Sequence, residues 1–480
     1  MSTVTAHEDL APLLERAFTL DVTEQSNAPV RVEGTLPPYL RGTCLLNGPG
    51  RFERGGLRYR HWLDGDGMVA ALAVGPDVVR FTNRFVRSVK FVREETERRP
   101  VYRTFGTSFA GDELKRGIGL ESPVNVSVYP FRGELLAFGE QGLPWALNPA
   151  TLETRGLYTF DGQLNEITPF SAHPKIDRHT GELFNFGVSF SAQSPVLNLF
   201  RFAANGKLSY RRRLALPYPS SIHDFAISER YIVFYVTPLV LRMEALVQQG
   251  ATLMDALSWR PELGSRLMIA SRETGALVAS IDVGHSYCLH LANAFDRGGH
   301  LVVDVVEYEK PIYPEYQVVP DLFTDVFLGH PVRFVVDPGA AAIVGRRDIA
   351  YACSPDFPAH DPDVVGRTYD HFWMLGISRA GRPGRKFFDH VVRVDWSTEQ
   401  VDVYEAPSLC YFGGEPCFIP DPAAPGDRGV VVCQQFDAAR VVSSFVVFDA
   451  FQLAKGPMAT ITLGSPIPLL FHSAFHRTSS

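Results

Sequence analysis

The sequence predicts an all-β protein whose sheets are arranged radially or as a sandwich, and two patterns carry this prediction. Short runs rich in Val, Ile, Phe and Tyr, each bounded by Gly, Pro, Asn or Asp, are typical of β-strands. These runs occupy residues 135–140, 231–236, 300–308, 333–337, 390–396, 429–436 and 443–450. Turns of the Asx and Gly type, which join antiparallel strands, recur at residues 148–154, 177–182, 203–207, 271–276 and 395–400.

The composition supports one large β-rich domain. Of the 480 residues, 45% are hydrophobic and 21% are charged, which is the balance of a globular protein with a large core. The 34 Phe, 17 Tyr, 40 Gly and 35 Pro favour strands and turns over helices. Neither a strict repeat period nor a Ser/Gly-rich linker divides the chain, so we expect a single domain over residues 1–480. Repeated hairpins over this length favour a divergent β-propeller, with a closed sandwich as the alternative.

Charge and cysteine usage exclude several classes of partner and site. The net charge is −7 and no dense basic run is present, which argues against a nucleic-acid partner. The six cysteines form no C-x-x-C pair, so we expect reduced thiols rather than a zinc knuckle or a disulfide scaffold. The N-terminal residues do not resemble a signal peptide, and no long uninterrupted apolar run occurs. We therefore expect a cytoplasmic protein that does not cross a membrane.

Residues 238–259 form the clearest helical pattern, with apolar side chains at a spacing near that of an α-helix and an interruption at Gly250. Two interpretations are open. A helix that packs on the protein's own core is the commoner arrangement. The alternative is an amphipathic insertion that lies in the interface of a lipid bilayer.

Four of the fourteen histidines lie among small or apolar residues, as expected of side chains that point into a core from the end of a strand. These four are His173, His223, His290 and His472. Imidazole binds iron, copper, zinc and nickel, whereas an all-histidine set disfavours a structural zinc site or a hard-cation site. A single histidine is nevertheless more often a surface or core residue than a ligand.

A metal with four neutral ligands leaves its positive charge uncompensated inside the protein, so carboxylates are needed nearby. They would accept the second ring N–H of the histidines and fix their tautomers. Glu140, Asp356 and Glu415 are the candidates, because each lies in an apolar stretch where a carboxylate is otherwise costly. The alternative for each of them is an ordinary surface-loop acid.

The four histidine motifs occur in a fixed order with five further segments, at residues 36–52, 61–72, 81–88, 413–420 and 467–475. With this order and spacing, the sequence resembles the carotenoid cleavage oxygenase family over nearly its whole length. The resemblance implies a seven-bladed β-propeller with one iron(II) on its axis and a helical and loop cap over one face. It also implies that the four histidines bind the iron and that Glu140, Asp356 and Glu415 are the carboxylates behind them.

Three positions depart from patterns common in that family. Asp356 stands where Glu is usual, and the shorter side chain reaches its histidine only through a backbone shift or a water. Val124 is aligned with a Thr that many members carry beside the open iron site. Gly139 stands where stilbene-cleaving relatives usually have a Lys that meets a phenol oxygen. The last departure favours a carotenoid or apocarotenal over a stilbene as substrate.

The resemblance implies an enzyme in which iron(II) activates O2 as co-substrate and a conjugated double bond of a carotenoid or apocarotenoid is cleaved to two carbonyl products. A long apolar substrate needs a tunnel of apolar and aromatic side chains. The candidates for the tunnel lining are Phe52, Phe105, Val124 and Phe412. The alternatives are stilbene cleavage, a non-cleaving retinoid isomerase or binder on the same fold, and a propeller scaffold without metal.

By its position in the resemblance, the segment 238–259 is the part that docks on a bilayer, which favours the second interpretation of its helical pattern. The expected membrane-contact residues are Leu239, Val240, Leu241, Met243 and Leu246. We therefore expect a cytoplasmic protein that associates peripherally with a membrane surface.

Overall fold

Seven antiparallel sheets of four or five strands form a seven-bladed β-propeller in the computed structural model, which describes residues 11–191, 194–317, 323–382 and 384–477. The first strands are β1 Gln25–Pro29, β2 Arg31–Gly34, β3 Gly42–Arg51, β4 Glu53–Arg54, β5 Leu57–Arg58, β6 Asp66–Val74, β7 Val79–Phe85, β8 Ser127–Phe131, β9 Glu134–Phe138, β10 Trp145–Leu147, β11 Thr154–Leu157, β12 Lys175–Asp177, β13 Glu182–Ser189, β14 Val196–Phe202, β15 Leu208–Ala215, β16 Ala226–Ile227 and β17 Tyr231–Val236.

The remaining strands are β18 Leu239–Leu241, β19 Leu257–Trp259, β20 Ser265–Ser271, β21 Leu277–Gly284, β22 Tyr287–Arg297, β23 His300–Tyr308, β24 Gly329–Asp337, β25 Ala342–Asp348, β26 Ser354–Ala359, β27 His371–Ile377, β28 His390–Asp395, β29 Gln400–Glu405, β30 Cys410–Pro420, β31 Gly429–Asp437, β32 Val442–Asp449, β33 Pro457–Thr462 and β34 His472–His476. The helices are short: α1 Ala11–Leu14, α2 Val89–Glu97, α3 Met243–Val247 and α4 Leu253–Ala256. Single 3-10 turns lie at Glu15–Phe18, Trp62–Asp64, Pro261–Leu263, Tyr313–Tyr316, Pro362–Val364 and Leu453–Lys455.

Five of the blades are simple four-stranded units, and the other two join distant parts of the chain. Strand order is β11-β10-β9-β8 in blade 2, β12 to β15 in blade 3, β16-β17-β20-β21 in blade 4, β22 to β25 in blade 5 and β26 to β29 in blade 6. Blade 1 has the order β1-β7-β6-β3-β34, and blade 7 has the order β2-β33-β32-β31-β30. The last strand of the chain therefore completes the first blade, and an early strand completes the last one.

The ring is closed by two sets of backbone hydrogen bonds. Strand β34 pairs with β3, with Asn47 opposite His472, and β2 pairs with β33, with Arg31 opposite Thr462. Contacts that run from β16 through β22, β26, β30 and β34 to β8 place these strands along the axis. The closure therefore brings the C-terminal His472 to the centre of the propeller.

Aromatic residues pack the interfaces between neighbouring blades, which accounts for much of the phenylalanine content. Trp373 of β27 stacks on Phe418 of β30, with ring centroids 4.1 Å apart and an interplanar angle of 9°. Phe160 stacks on Phe202 of β14 at 4.2 Å. Such pairs contribute beyond their burial, because the rings adopt favourable offset geometry.

The expected helix over residues 238–259 is replaced by a hairpin that carries two short helices. Strands β18 and β19 pair antiparallel, and α3 and α4 lie between them. Gly250 has φ +73° and ends the first helical segment, while the Thr252 side chain accepts the Asp255 N–H at the start of the second. The apolar spacing was real, but these two residues interrupt the helix that it predicted. Across the described residues, no helix is long and apolar enough to span a bilayer.

Candidate metal centre

Four buried histidines meet at the propeller axis. His173 and His223 lie in the loops before β12 and β16, His290 lies within β22, and His472 begins β34. One ring nitrogen of each lies within 4.8 Å of the corresponding nitrogens of the others. The Nε2 atom of His223 is 2.8 Å from that of His173 and 3.2 Å from that of His290. Among the described residues, this is the cluster of metal-binding side chains that the structure brings together.

Irregular register in three strands turns the functional side chains toward the axis. Pairing of β22 with β23 shifts on both sides of Leu291, next to His290. Pairing of β26 with β27 shifts after Asp356, where Phe357 has φ +56°. Pairing of β30 with β31 shifts between Gly413 and Cys417, across Glu415. A β-bulge re-aims a side chain that regular alternation would point into a blade, so these bulges build the centre.

Carboxylates face the outer side of three of the imidazole rings. Glu140 Oε1 lies 2.7 Å from His223 Nδ1, and Asp356 Oδ1 lies 2.6 Å from His290 Nδ1. Glu415 Oε2 is more distant, at 3.6 Å from His472 Nδ1, and also accepts the Ser473 N–H. A carboxylate at Nδ1 holds the proton on that nitrogen and leaves the Nε2 lone pair directed at the axis.

The fourth histidine has a looser arrangement, which involves a residue that the sequence analysis missed. His173 Nδ1 lies 3.9 Å from Asp224 Oδ1, beyond hydrogen-bonding distance. Asp224 instead pairs with Lys175 Nζ at 2.8 Å and accepts the Leu291 N–H at 2.9 Å. Asp224 thus ties together segments next to three of the histidines. Its position directly after His223, in an apolar stretch, was the signal available in the sequence.

Burial and neighbouring charges shift the pKa values of His173, His290 and His472. Burial lowers the pKa of His173 well below its ordinary value, and the neighbouring histidines lower it further. Burial also lowers the pKa of His472, although Glu415 opposes that shift. Burial acts in the same direction on His290, but Asp356 outweighs it and the pKa of His290 is raised.

The donor set fits a divalent transition-metal ion. Neutral imidazoles with inward lone pairs repel one another at separations of about 3 Å unless a cation lies between them. Three carboxylates behind the rings compensate the charge that such a cation brings into the core. All donors are nitrogen, which disfavours Ca²⁺ and Mg²⁺, and thiolates are absent from the cluster.

Small cavities lie on both sides of the histidines. Phe105 and Glu140 line two adjoining pockets of about 40 and 30 Å³ on the side of the hairpin 239–259. Tyr313 and Leu257 separate the first of these from a cavity of about 240 Å³ nearer the surface. A more polar cavity of about 250 Å³, which Lys175 lines, lies on the opposite side and contacts three of the histidines.

The expected tunnel residues lie in different places. Phe105 lines the two small pockets beside Glu140. Phe52 packs edge-on against Phe18 at 5.5 Å, and Phe412 packs against Phe448 at 6.4 Å. Both of these side chains belong to the packed apolar core.

Val124 is also displaced from its expected role. Its side chain packs with Leu45 and Val69 in blade 1, away from the histidines, and its backbone has φ +57°. The residue next to the site is Val126, whose carbonyl accepts the His472 N–H and whose side chain joins the central core. The left-handed backbone at Val124 changes the alternation of side chains along this segment.

The expected membrane-contact residues are mostly internal. Leu239, Leu241 and Leu246 are only 3–4% exposed, and the first two line cavities beside the site. The β18–β19 hairpin turns these side chains inward, so they present no surface to a bilayer. Val240 and Met243 are half-buried.

Comparison with known proteins gives a consistent family. The model of the retinal pigment epithelial membrane protein family matches residues 19–477. An apocarotenoid-15,15'-oxygenase from Synechocystis is 31% identical over 465 residues, covering 93% of this chain and 92% of the relative. A resveratrol cleavage oxygenase from Aspergillus fumigatus is 31% identical over 77% of this chain and 76% of the relative. An isoeugenol monooxygenase from Pseudomonas nitroreducens is 26% identical, with 93% of each chain covered.

Solved structures agree with the sequence comparison. Cobalt-substituted Synechocystis ACO superposes with a TM-score of 0.87 and 28% identity, covering 98% of this chain and 99% of that one. An ACO/RPE65 chimera gives the same TM-score, identity and coverage.

Proposed function

Because the chain belongs to the retinal pigment epithelial membrane protein family of carotenoid oxygenases, we propose that it is an iron(II)-dependent dioxygenase that cleaves a carotenoid or apocarotenoid. The observation that carries the proposal is the convergence of four buried histidines with three carboxylates behind them. The reaction adds both atoms of O2 across one conjugated C=C bond, which breaks to give two carbonyl products.

One iron(II) per chain, held by His173, His223, His290 and His472, would supply the activation of O2 that this cleavage requires. Glu140, Asp356 and Glu415 orient three of the rings and balance the charge of the ion. Phe105, Phe170 and Tyr313 line the small pocket beside Glu140 and make that side of the centre aromatic. No side chain needs to act as a general base or nucleophile.

The surroundings of Glu140 support an apolar polyene as substrate rather than a phenol. A Cβ atom built on Gly139 would overlap the Ser122 hydroxyl and crowd the backbone of Val124. A lysine at this position, which the resemblance associates with stilbene cleavage, would therefore require Ser122 and the backbone near Val124 to move. Phe105 and Leu253 line the adjoining pocket and offer apolar contacts to a polyene.

Peripheral membrane association is part of this proposal, because carotenoids partition into lipid. What supports it is the 240 Å³ cavity lined by Leu239, Met254, Trp259 and Phe327, beside the exposed Leu328. A substrate taken from a membrane would pass from this cavity to the histidines by displacing Tyr313 and Leu257, which separate the two pockets. We place the protein in the cytoplasm, in contact with a membrane surface.

The test combines metal analysis with turnover. Protein purified without chelator is assayed for iron, mixed anaerobically with β-apo-8′-carotenal and then exposed to O2. We expect one iron per chain, loss of polyene absorbance that depends on O2, and aldehyde products whose masses identify the cleaved bond. His290→Ala should lose both iron and turnover, whereas His285→Ala, which alters an exposed histidine, should keep both.

Other outcomes would separate the alternatives. Cleavage of resveratrol but not of the apocarotenal would replace a polyene by a stilbene as the substrate. Bound iron with turnover of neither would favour a retinoid isomerase or a binder. Protein that takes up no iron even after anaerobic loading would contradict the enzyme itself.

A further inference from the structure

The buried carboxylate of Asp356 accepts three hydrogen bonds. Its Oδ1 atom accepts the His290 Nδ1–H at 2.6 Å and the Phe357 N–H at 2.8 Å. Its Oδ2 atom accepts a hydrogen bond from the Tyr316 hydroxyl. Both carboxylate oxygens therefore accept hydrogen bonds. Tyr316 is the side chain that bonds Oδ2, the oxygen that does not contact His290.

The position of Tyr316 is fixed independently of Asp356. Its buried ring packs against Trp62 at 5.6 Å and against Phe323 at 5.3 Å. The turn Tyr313–Tyr316 is anchored at its other end, because His61 Nε2 lies 2.8 Å from the Tyr313 carbonyl oxygen. The hydroxyl of Tyr316 is thus presented to the carboxylate by a rigid support, and it occupies space that a longer side chain at position 356 would need.

We propose that Tyr316 and Asp356 form a matched pair that positions His290, in which the tyrosine hydroxyl fits the shorter carboxylate and is incompatible with a glutamate. The proposal rests on the metal centre assigned under the proposed function. Replacing Asp356 by Glu adds one C–C bond, about 1.5 Å, to the side chain. With Tyr316 fixed, the longer carboxylate cannot keep both its bond to His290 and its place beside the hydroxyl.

The pair gives Tyr316 the role of a positioning residue. A buried carboxylate that loses one of its partners carries the cost of an unsatisfied oxygen, and Asp356 would then be held through Oδ1 alone. His290 would then lose the fixed ring orientation that directs its Nε2 atom at the axis. Loss of such a support typically weakens metal binding by about 10- to 100-fold.

The experiment compares four proteins: wild type, Tyr316→Phe, Asp356→Glu and the double variant. Each is stripped of metal anaerobically and titrated with Co²⁺, and both the affinity and the visible spectrum of the bound ion are measured. We expect each single variant to bind Co²⁺ about 10- to 100-fold more weakly, with a changed spectrum. The double variant should bind more tightly than Asp356→Glu alone, because removing the hydroxyl makes room for the longer carboxylate.

Tyr308→Phe is the matched control. Tyr308 is equally buried, and its hydroxyl bonds the carbonyl of Pro355, next to Asp356, rather than the carboxylate. It should lower the unfolding temperature without changing the Co²⁺ spectrum. Unfolding curves of all variants identify any that fail to fold, and Tyr316→Phe keeps the ring that packs the core.

Two results would overturn the pair. One is a Tyr316→Phe protein that binds Co²⁺ with wild-type affinity and spectrum. The other is a double variant that is weakened by the sum of the two single effects, which would show that the side chains act independently. The Co²⁺ comparison decides the role of the pair whether or not the wild-type protein cleaves a polyene, so failure of the proposed function is seen separately.

Discussion

Two buried polar clusters in this molecule differ in whether their charges are balanced from within. Beside blade 1, Lys90 of α2 lies 2.7 Å from Asp66 and 2.8 Å from Glu94, and Arg54 of β4 pairs with Asp66. Glu95 also contacts Arg54 and is paired with Arg51, so three cations and three anions neutralise one another. At the axis, four imidazoles bring one ring nitrogen each to a common point, and the carboxylates lie behind three of them.

The difference shows which buried polar cluster indicates a ligand. In the cluster beside blade 1, each buried charge has an oppositely charged partner within the protein. No bound ion is needed to balance it, and its role is structural. The axial cluster has donors of one kind that converge without an internal acceptor, and its outer carboxylates carry surplus negative charge. A cluster of that kind is complete only when a cation is bound.

The largest expected effect comes from breaking the balanced cluster. Lys90→Met leaves Asp66 and Glu94 buried without their shared cation, and we expect a loss of about 3–5 kcal/mol in the free energy of unfolding. Urea unfolding measures the loss, and Lys207→Met, at an exposed position, should change it by less than about 0.5 kcal/mol. Folded Lys90→Met should still bind Co²⁺ with wild-type affinity. Loss of metal binding in protein that is still folded would mean that the two clusters are coupled.

How far the sequence predicted the centre depends on what each residue required. The histidines could be identified because their local contexts and order are sequence properties. The contact of Asp356 with His290 could not be predicted from the sequence. It depends on the bulge at Phe357, whose backbone shift compensates for the shorter side chain. Tyr316 left no local signal, since it meets Asp356 only through the fold.

The fold was predictable to a similar degree. Strand runs and turn residues predict repeated hairpins, and the family resemblance supplied the number of blades. The hairpin at 239–259 was not predicted, because apolar spacing near that of a helix also occurs when two short helices are separated by Gly250. Burial of Leu239 and Leu246 follows from the pairing of β18 with β19, which involves contacts that periodicity does not encode.

A smaller effect is expected from substitutions of the carboxylates at the axis. The loss of Co²⁺ affinity should depend on how close each carboxylate lies to its histidine. Glu140→Gln should weaken Co²⁺ binding by about 10- to 100-fold, because the amide no longer fixes the proton on His223 as a carboxylate does. Glu415→Gln should have a smaller effect, since Glu415 lies 3.6 Å from His472 whereas Glu140 lies 2.7 Å from His223. In the metal-free protein, neither change should lower the free energy of unfolding as much as Lys90→Met does. Equal losses from both substitutions would show that distance from the ring does not set the contribution.

The smallest expected effect is the pH dependence of the balanced cluster between about pH 5 and 9, where it should be flat. Burial acts to raise the pKa of Asp66, but Lys90 and Arg54 outweigh it and the pKa is lowered, so this stability is lost only as pH falls below the ordinary range of an aspartate. The pKa of Lys90 is raised by Asp66 against the effect of burial, so its stability is lost only at strongly alkaline pH.

The difference in unfolding free energy between wild type and Lys90→Met should therefore be largest where the carboxylates of the variant stay ionised, and should shrink at acidic pH as they take up protons. The stabilisation that Co²⁺ gives the wild-type protein should fall as the pH becomes acidic, because protons compete with the metal for imidazole nitrogen. Urea unfolding with and without Co²⁺ from neutral to acidic pH measures both quantities. If the two quantities changed with pH in the same way, the contrast between the clusters would be wrong. A cluster of paired charges should not depend on pH as a metal-binding cluster does.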